Sequence, residues 1–287
     1  MDKIILGNSI EVLQGFEDNT FDLTVTSPPY DNLRTYNGKI KDEVVFEDGF
    51  SFPFVEMARE LYRVTKKGGV VVWVVNDQVK NGGETGSSFK QALKFMEIGF
   101  KLHDTMIYEK NTSSFPARRD GNRYTQIFEY MFVFSKGVVK THNPLMIDCL
   151  HAGLELNGTT YKNYSKNDQI RKKMANPVKN QKIKGNIWDY VVGKNKEDQE
   201  AKGHPAPFPC KLAEDHILSW TNEGDLVVDP MCGSGTTCKV AQAQNRRFIG
   251  IDISEEYCAI ARSRLIGKAT PQKTLFVTQE MVEPVCA

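Results

Sequence analysis

The sequence predicts an α/β chain built on a buried sheet, and three stretches predict it. Val70-Val71-Val72-Trp73-Val74-Val75 is a continuous β-branched and apolar run, the pattern of a strand covered on both faces. Residues 225–252 read as strand, glycine-rich turn, helix and strand, the unit from which layered α/β domains are made. The alternating run Phe21-Asp22-Leu23-Thr24-Val25 reads as another strand and stops at once on Thr26-Ser27-Pro28-Pro29-Tyr30.

Residues 3–6 read as a first strand, closed by Gly7-Asn8-Ser9, and Ile10–Gln14 as a short helix. Asn8 and Ser9 stand at a strand-to-helix junction, where a ligand contact and a plain helix cap are both open. The proline corner follows. Proline fixes φ, offers no amide donor and biases the residue before it away from helix. The corner is therefore stiff, and its carbonyls lie outside any ladder. Ser27 and the Pro28 carbonyl can accept from an exocyclic amino group, and Tyr30 can stack on a planar base. Taken alone, the Pro28-Pro29 pair favours an ordinary strand-ending loop, and it is the glycine-rich turn downstream that reverses this.

Residues 31–52 are polar and aperiodic, carry Arg34 and Tyr36, and read as a loop beside that corner. Phe54–Val64 has helical spacing, and Lys66-Lys67-Gly68-Gly69 reads as its end. After the run at 70–75 come an amphipathic helix at 89–98 and strands at 101–110 and 128–134, expected to pair antiparallel at the sheet's edge. Between those strands Lys110, Arg118, Arg119 and Arg123 suit a phosphate-contacting loop, although a solvated basic turn has the same composition.

Periodicity fades over residues 138–200, and cations gather there, Lys172 and Lys173 among them, with Tyr161 and Tyr164 interleaved. A charge run is usually a solvated face. In a chain whose formal net charge is only +1, however, cations collected in one segment match the local footprint of a nucleic-acid binder.

Lys211–Trp220 reads as a helix, and Asp225–Asp229 as a buried strand. That strand runs into Pro230-Met231-Cys232-Gly233-Ser234-Gly235-Thr236-Thr237 and a helix to about Ala243, then the strand Arg247–Asp252. Gly233 and Gly235 let the backbone approach a ligand and present amides at a helix start. Asp252, 23 positions after Asp229, is placed for ribose hydroxyls. A dinucleotide fingerprint needs a third glycine where Cys238 stands, and no Gly-Lys-Ser/Thr follows for a phosphate loop. S-adenosyl-L-methionine is the remaining common occupant of such a turn.

Composition narrows the setting. Hydrophobic content is 40% and charged content 25%, ordinary for a globular protein, and no apolar run approaches a membrane span. The start of the chain lacks the long apolar core of a signal peptide. Six scattered cysteines form no C-x-x-C pair and no zinc spacing with the histidines, so no metal is expected and the thiols are expected reduced, as in the cytoplasm. Cys210 follows a proline, as does the nucleophile of cytosine-C5 methyltransferases, but that motif's context is absent.

The chain resembles the beta-class DNA amino-methyltransferases over nearly its full length. Thr-Ser-Pro-Pro-Tyr comes first, a basic insert next, and Asp-Pro-x-x-Gly-Ser-Gly-Thr-Thr last, the circularly permuted order of that class. The resemblance implies a Rossmann-like methyltransferase fold: a seven-stranded, mainly parallel sheet with helices on both faces and one antiparallel strand. It implies a catalytic half at 1–137, a target-recognition insert at 138–200 and a cofactor-binding half at 201–287. It implies catalytic Ser27, Pro28, Pro29 and Tyr30. His204, Ala206, Phe208 and Pro209 would hold the methionine end of the cofactor. Thr26, Asp229, Pro230, Met231, Gly233, Gly235, Thr236 and Thr237 would surround it, Asp252 would bind its ribose, and Asn8 with Ser9 would touch its adenine. Met231 stands where the class usually has Phe, and Asn8 where it often has Asp.

The activity implied is base flipping followed by direct methyl transfer to an amino nitrogen of duplex DNA, with no covalent enzyme intermediate. Ser27 at the head of the corner resembles the cytosine-N4 subgroup of restriction-modification type; adenine-N6 members mostly carry Asp or Asn there. Expected partners are double-stranded DNA, a restriction endonuclease acting on the same site, and a second copy in a homodimer. An inactive DNA-binding module and an RNA or small-molecule methyltransferase are the competing readings.

Overall fold

The computed structural model describes residues 2–29, 49–50, 52–110, 123–150, 159–160, 172–173, 179–191 and 209–265. Eight strands form its main sheet: β1 Asp2–Leu6, β2 Phe21–Thr26, β3 Thr65–Val75, β4 Lys101–Lys110, β5 Phe128–Ser135, β6 Ile187–Tyr190, β7 Leu226–Asp229 and β8 Arg247–Asp252. Six helices accompany them: α1 Ser9–Gln14, α2 Phe54–Val64, α3 Ser87–Ile98, α4 Cys210–Trp220, α5 Thr236–Ala243 and α6 Glu255–Ser263.

The strand order is β1-β8-β7-β2-β3-β5-β4-β6. Only β5 is opposed, pairing antiparallel with both β3 and β4. All other neighbours are parallel.

Alternation along β3 explains the layering. Val71, Trp73 and Val75 pack with residues of α1, α2 and α3, whereas Val70, Val72 and Val74 pack with residues of α4, α5 and α6. Successive strand residues point to opposite faces, so one apolar strand serves two cores.

Three expectations are corrected. The sheet has eight strands rather than seven. The extra one, β6, comes from the basic segment 138–200: Ile187 and Asp189 are exposed, and Trp188 and Tyr190 buried. Trp188 packs on His216 with ring centroids 4.8 Å apart, and the Tyr190 hydroxyl donates to Asp215 at 2.9 Å. Because β6 lies outside β4, the antiparallel pair of β4 and β5 is internal rather than at the edge. Finally, Lys66-Lys67-Gly68-Gly69 belongs to β3 and does not end α2. Thr65 is already extended and pairs with Phe21, and the register shifts before Leu23 pairs with Val70. Gly68, at φ 82°, makes that irregularity possible.

Helix α6 has no counterpart among the expected elements. Ser254 caps it, accepting from the Tyr257 amide at 3.3 Å, and Glu255 and Glu256 suit its first turn.

Candidate active site

β7 lies beside β2, with Val227 opposite Leu23 and Val228 opposite Thr24. The chain moves outward from this pair in both directions, β2 to β3 on one side and β7 to β8 on the other. Such a reversal opens a crevice at the carboxyl ends of the strands. The proline corner leaves β2 there, and the glycine turn leaves β7 there.

The two corners are joined by a buried knot around Asp229. The Thr26 hydroxyl donates to Asp229 Oδ1 at 2.7 Å, and the Met231 amide donates to the same oxygen at 3.2 Å. Thr237, in the first turn of α5, stands between the Val25 carbonyl, 3.1 Å away, and the Asp229 carboxylate, and its single hydroxyl proton can go to either. Burial pushes the Asp229 carboxyl up to about 6, while its hydrogen bonds to Thr26, Thr237 and Met231 pull it back.

The glycine turn is held in a left-handed course, with φ 49° at Gly233 and 76° at Gly235. A Cβ on Gly235 would stand 2.7 Å from Ala261 Cβ, so the turn lies directly on α6. Asp252, at the end of β8, accepts from the Gly233 amide at 2.8 Å and from the Ser254 amide at 2.9 Å. Burial raises its pKa, and the backbone donors oppose the rise. The Ile253 amide donates to it as well, and three amides still leave acceptor capacity on that carboxylate for a hydroxyl donor. The next residue, Ile253, is 77% exposed, an apolar surface offered beside the acid.

Asn8 is the cap of α1, its side chain accepting from the Ile10 amide at 3.0 Å. Ser9 reaches across instead, its hydroxyl donating to the Pro230 carbonyl. The N-terminal segment thus closes one side of the glycine turn. Pro209 is buried and precedes α4. Thr26 and Pro28 are buried, and Ser27 and Pro29 are partly exposed.

The basic residues differ among themselves. Lys110 is ion-paired with Glu129, and both side chains are largely buried. Its ammonium also lies 5.7 Å from the Tyr108 ring centroid. That geometry holds the cation inside the sheet's end rather than toward a phosphate. Arg123 is exposed; it donates to the Gly82 carbonyl and lies 4.0 Å from Glu84, bracing the hairpin of Val79–Lys80 and Gly83–Glu84. Lys172 and Lys173 form a short strand antiparallel to Thr159–Thr160. Tyr30, Arg34, Tyr36, Arg118, Arg119, His204, Ala206 and Phe208 lie outside the described residues.

Sequence reasoning passes over Ile253, whose signal is an apolar residue just past a strand-ending acid. It also passes over Thr26 as a tie, because its partner is 203 positions away.

A sheet that reverses at β7 and β2, with a glycine turn, an acid at the next strand end and a Ser-Pro-Pro corner at the same edge, defines a Rossmann-like methyltransferase fold. Comparison with known proteins names the family. A profile described as DNA methylase, of the N6/N4 type, matches residues 21–263, and the chain belongs to that family. It is a DNA methyltransferase of the N6/N4 class.

The chain is 55% identical over 252 residues to the orphan methyltransferase M.BamHII of Bacillus amyloliquefaciens, covering 86% of this chain and 89% of that one. It is 28% identical over 267 residues to the DNA adenine methyltransferase YhdJ of Escherichia coli, covering 91% and 82% respectively. Among solved structures it resembles the PvuII DNA methyltransferase, described as cytosine-N4-specific, at TM-score 0.68 and 20% identity, covering 93% of this chain and 87% of that one. TTHA0409 of Thermus thermophilus, solved in complex with S-adenosyl-L-methionine, aligns at TM-score 0.59 and 24% identity, covering 92% and 94%.

Among the described residues no helix is long and apolar enough to cross a membrane, and no cluster of side chains could hold a metal ion.

Proposed function

We propose that the protein methylates the exocyclic N4 amino group of cytosine in duplex DNA. The methyl donor is S-adenosyl-L-methionine, which supplies a methyl group on a positively charged sulfonium. The observation that carries the reading is the hydrogen bond of 2.7 Å from Thr26 to Asp229, which ties the base-gripping corner to the glycine turn at one edge of the sheet.

The residues at the glycine turn fit that cofactor. Gly233 and Gly235 leave the backbone bare where it must approach a ligand. Asp252 has free lone pairs for ribose hydroxyls, and Ile253 offers the adenine an apolar face. His204, Ala206, Phe208 and Pro209 would grip its methionine end. The rest of the work is positioning. Ser27 and the Pro28 carbonyl accept from the target amino group and aim its lone pair, Tyr30 stacks on the extruded ring, and Pro29 stiffens the corner. No nucleophile is required of the protein.

Residues 138–200 serve target recognition in this reading, with β6 anchoring the end of the segment to the sheet. Arg34, Tyr36, Arg118, Arg119, Arg123, Lys172 and Lys173 meet the DNA backbone. A restriction endonuclease of the same specificity, a homodimer and a cytoplasmic location belong to the same reading. Adenine N6 is the alternative target, since a neutral hydroxyl at Ser27 can accept from either amino group and an adenine methyltransferase is among the relatives.

Duplex DNA and RNA incubated with methyl-labelled cofactor, digested to nucleosides and separated, test this. Label in N4-methyldeoxycytidine from DNA is expected. Label in N6-methyldeoxyadenosine would select the alternative, and label in RNA alone, or in neither polymer, would refute both.

A further inference from the structure

The glycine turn has a second support that the methyl-transfer reading does not use. Arg264 caps α6 at its C-terminus and is 7% exposed. Its Nη1 lies 2.6 Å from the Ser234 carbonyl, 2.9 Å from the Ser234 hydroxyl and 3.2 Å from the Thr236 hydroxyl. Ser234 and Thr236 flank Gly235 and are themselves buried. One guanidinium nitrogen thus gathers the tip of the turn and the start of α5.

The need for such a brace follows from the backbone. Glycines are the loosest residues in an unfolded chain, so holding two of them at positive φ in this turn carries an entropic cost that contacts from outside the turn must offset. Asp252 fixes the amide of Gly233 from one end of α6. Arg264 fixes Ser234 and Thr236 from the other. Between these two points Gly235 rests on Ala261, one helical turn before Arg264. The arginine is also held at some cost, because its Nε is buried without a hydrogen-bond partner. A buried cation with an unsatisfied donor is hard to account for as packing alone.

We propose that Arg264 is a positioning residue for methyl transfer. Acting through Ser234 and Thr236, it holds the amides of the glycine turn in the shape the cofactor requires and so sets cofactor affinity. The inference rests on the reading of that turn as the S-adenosyl-L-methionine site. Its signature is a split in the kinetic constants. Loss of the brace loosens the turn, so KM for the cofactor rises. The proline corner and the DNA surface are untouched, so kcat at saturating cofactor and the affinity for DNA stay put.

The test measures cofactor Kd by calorimetry and steady-state constants for the full-length wild type, Arg264→Gln and Arg264→Lys. Loss of a charge-assisted buried bond predicts a Kd and KM for S-adenosyl-L-methionine about 10- to 100-fold higher in Arg264→Gln. kcat is expected within about 2-fold of wild type, the range left when only uniform binding is lost. Arg264→Lys keeps the charge and guards against a glutamine variant that does not fold; it is expected to recover part of the affinity. Adding Ser234→Ala to Arg264→Gln should raise KM no further, because the first change has already removed the guanidinium that the Ser234 hydroxyl meets.

Unchanged KM in the variants beside a wild type that binds the cofactor would overturn the inference alone. So would a fall in kcat with KM unmoved, the mark of a smaller folded fraction. Failure of the wild type to bind the cofactor would overturn the inference together with the reading beneath it.

Discussion

Thr26→Val is the sharpest probe of the joint between the two corners. Valine keeps the β-branched shape that suits the end of β2, and it removes only the hydroxyl that donates to Asp229 at 2.7 Å. The acceptor's charge decides what is lost. Burial places the Asp229 carboxyl at about 6, so it is ionised at pH 8 and largely protonated at pH 5. A bond to a charged acceptor contributes about 1.5–3 kcal/mol, and one to a neutral acceptor about 0.5–1.5 kcal/mol. Thr26→Val should therefore cost roughly twice as much stability at pH 8 as at pH 5.

The wild type's own pH dependence follows with a definite sign. The folded carboxyl binds its proton more tightly than the unfolded one, whose ordinary value is 3.8, so this group favours the native state increasingly as pH falls from about 6 toward 3.8. The gap is worth about 3 kcal/mol, fully present below the unfolded value and lost as pH rises through the folded one. Asp229→Asn should remove this contribution to the slope.

Urea unfolding at pH 5 and pH 8, with m-values compared to confirm that the unfolded ensembles match, reads both effects. An equal loss at the two pH values, or one below about 0.5 kcal/mol at pH 8, would refute the reasoning. In that case no ionised carboxylate depends on this hydroxyl.

Ser27→Ala should lower methyl transfer at saturating cofactor by about 100-fold, as expected when a reacting group loses its alignment, while cofactor Kd measured by calorimetry stays within about 2-fold. Gly235→Ala forces a side chain into a left-handed position and against Ala261. It should cost about 1–3 kcal/mol in denaturant unfolding and abolish measurable cofactor binding, and a variant with wild-type affinity would show that the turn is not the site. Glu129→Gln leaves the Lys110 ammonium buried without its carboxylate and should destabilise by about 3 kcal/mol, checked by the same unfolding assay. For DNA binding, Lys172→Ala should reduce the slope of log affinity against log salt by about 1, whereas Lys110→Met should leave it unchanged, and the opposite ranking would exchange their roles.

Local chemistry made much of the site readable in the sequence, and distance in the chain hid the rest. The turn from Pro230 to Thr237 is legible because its glycines, its strand and its helix are contiguous. The proline corner is legible for the same reason. Their adjacency is not, because it depends on β7 docking beside β2 across about 200 residues, and the resemblance alone suggested it.

Strand β6 is hidden for a different reason. Its two buried aromatic residues alternate correctly, but they sit in a segment whose cations mask any apolar period. Gly68-Gly69 misleads because a glycine pair after a helix resembles a cap, and only pairing with β2 reveals a strand irregularity. Lys110 looks like a free cation because Glu129, its partner, lies on the neighbouring strand. Arg264 carries no local signal at all: its contacts reach back about 30 positions to the turn it braces.

The most direct measurement is a crystal structure of the protein with S-adenosyl-L-homocysteine and a target duplex. The expected result places the ligand's ribose on Asp252, its sulfur over the crevice between β7 and β2, and an extruded cytosine with its amino group against Ser27 and the Pro28 carbonyl. The amino nitrogen should lie on the sulfur's side of the base, within about 4 to 5 Å once space is left for a methyl group. A homocysteine ligand bound away from the glycine turn, or a flipped base held on another edge of the sheet, would contradict it.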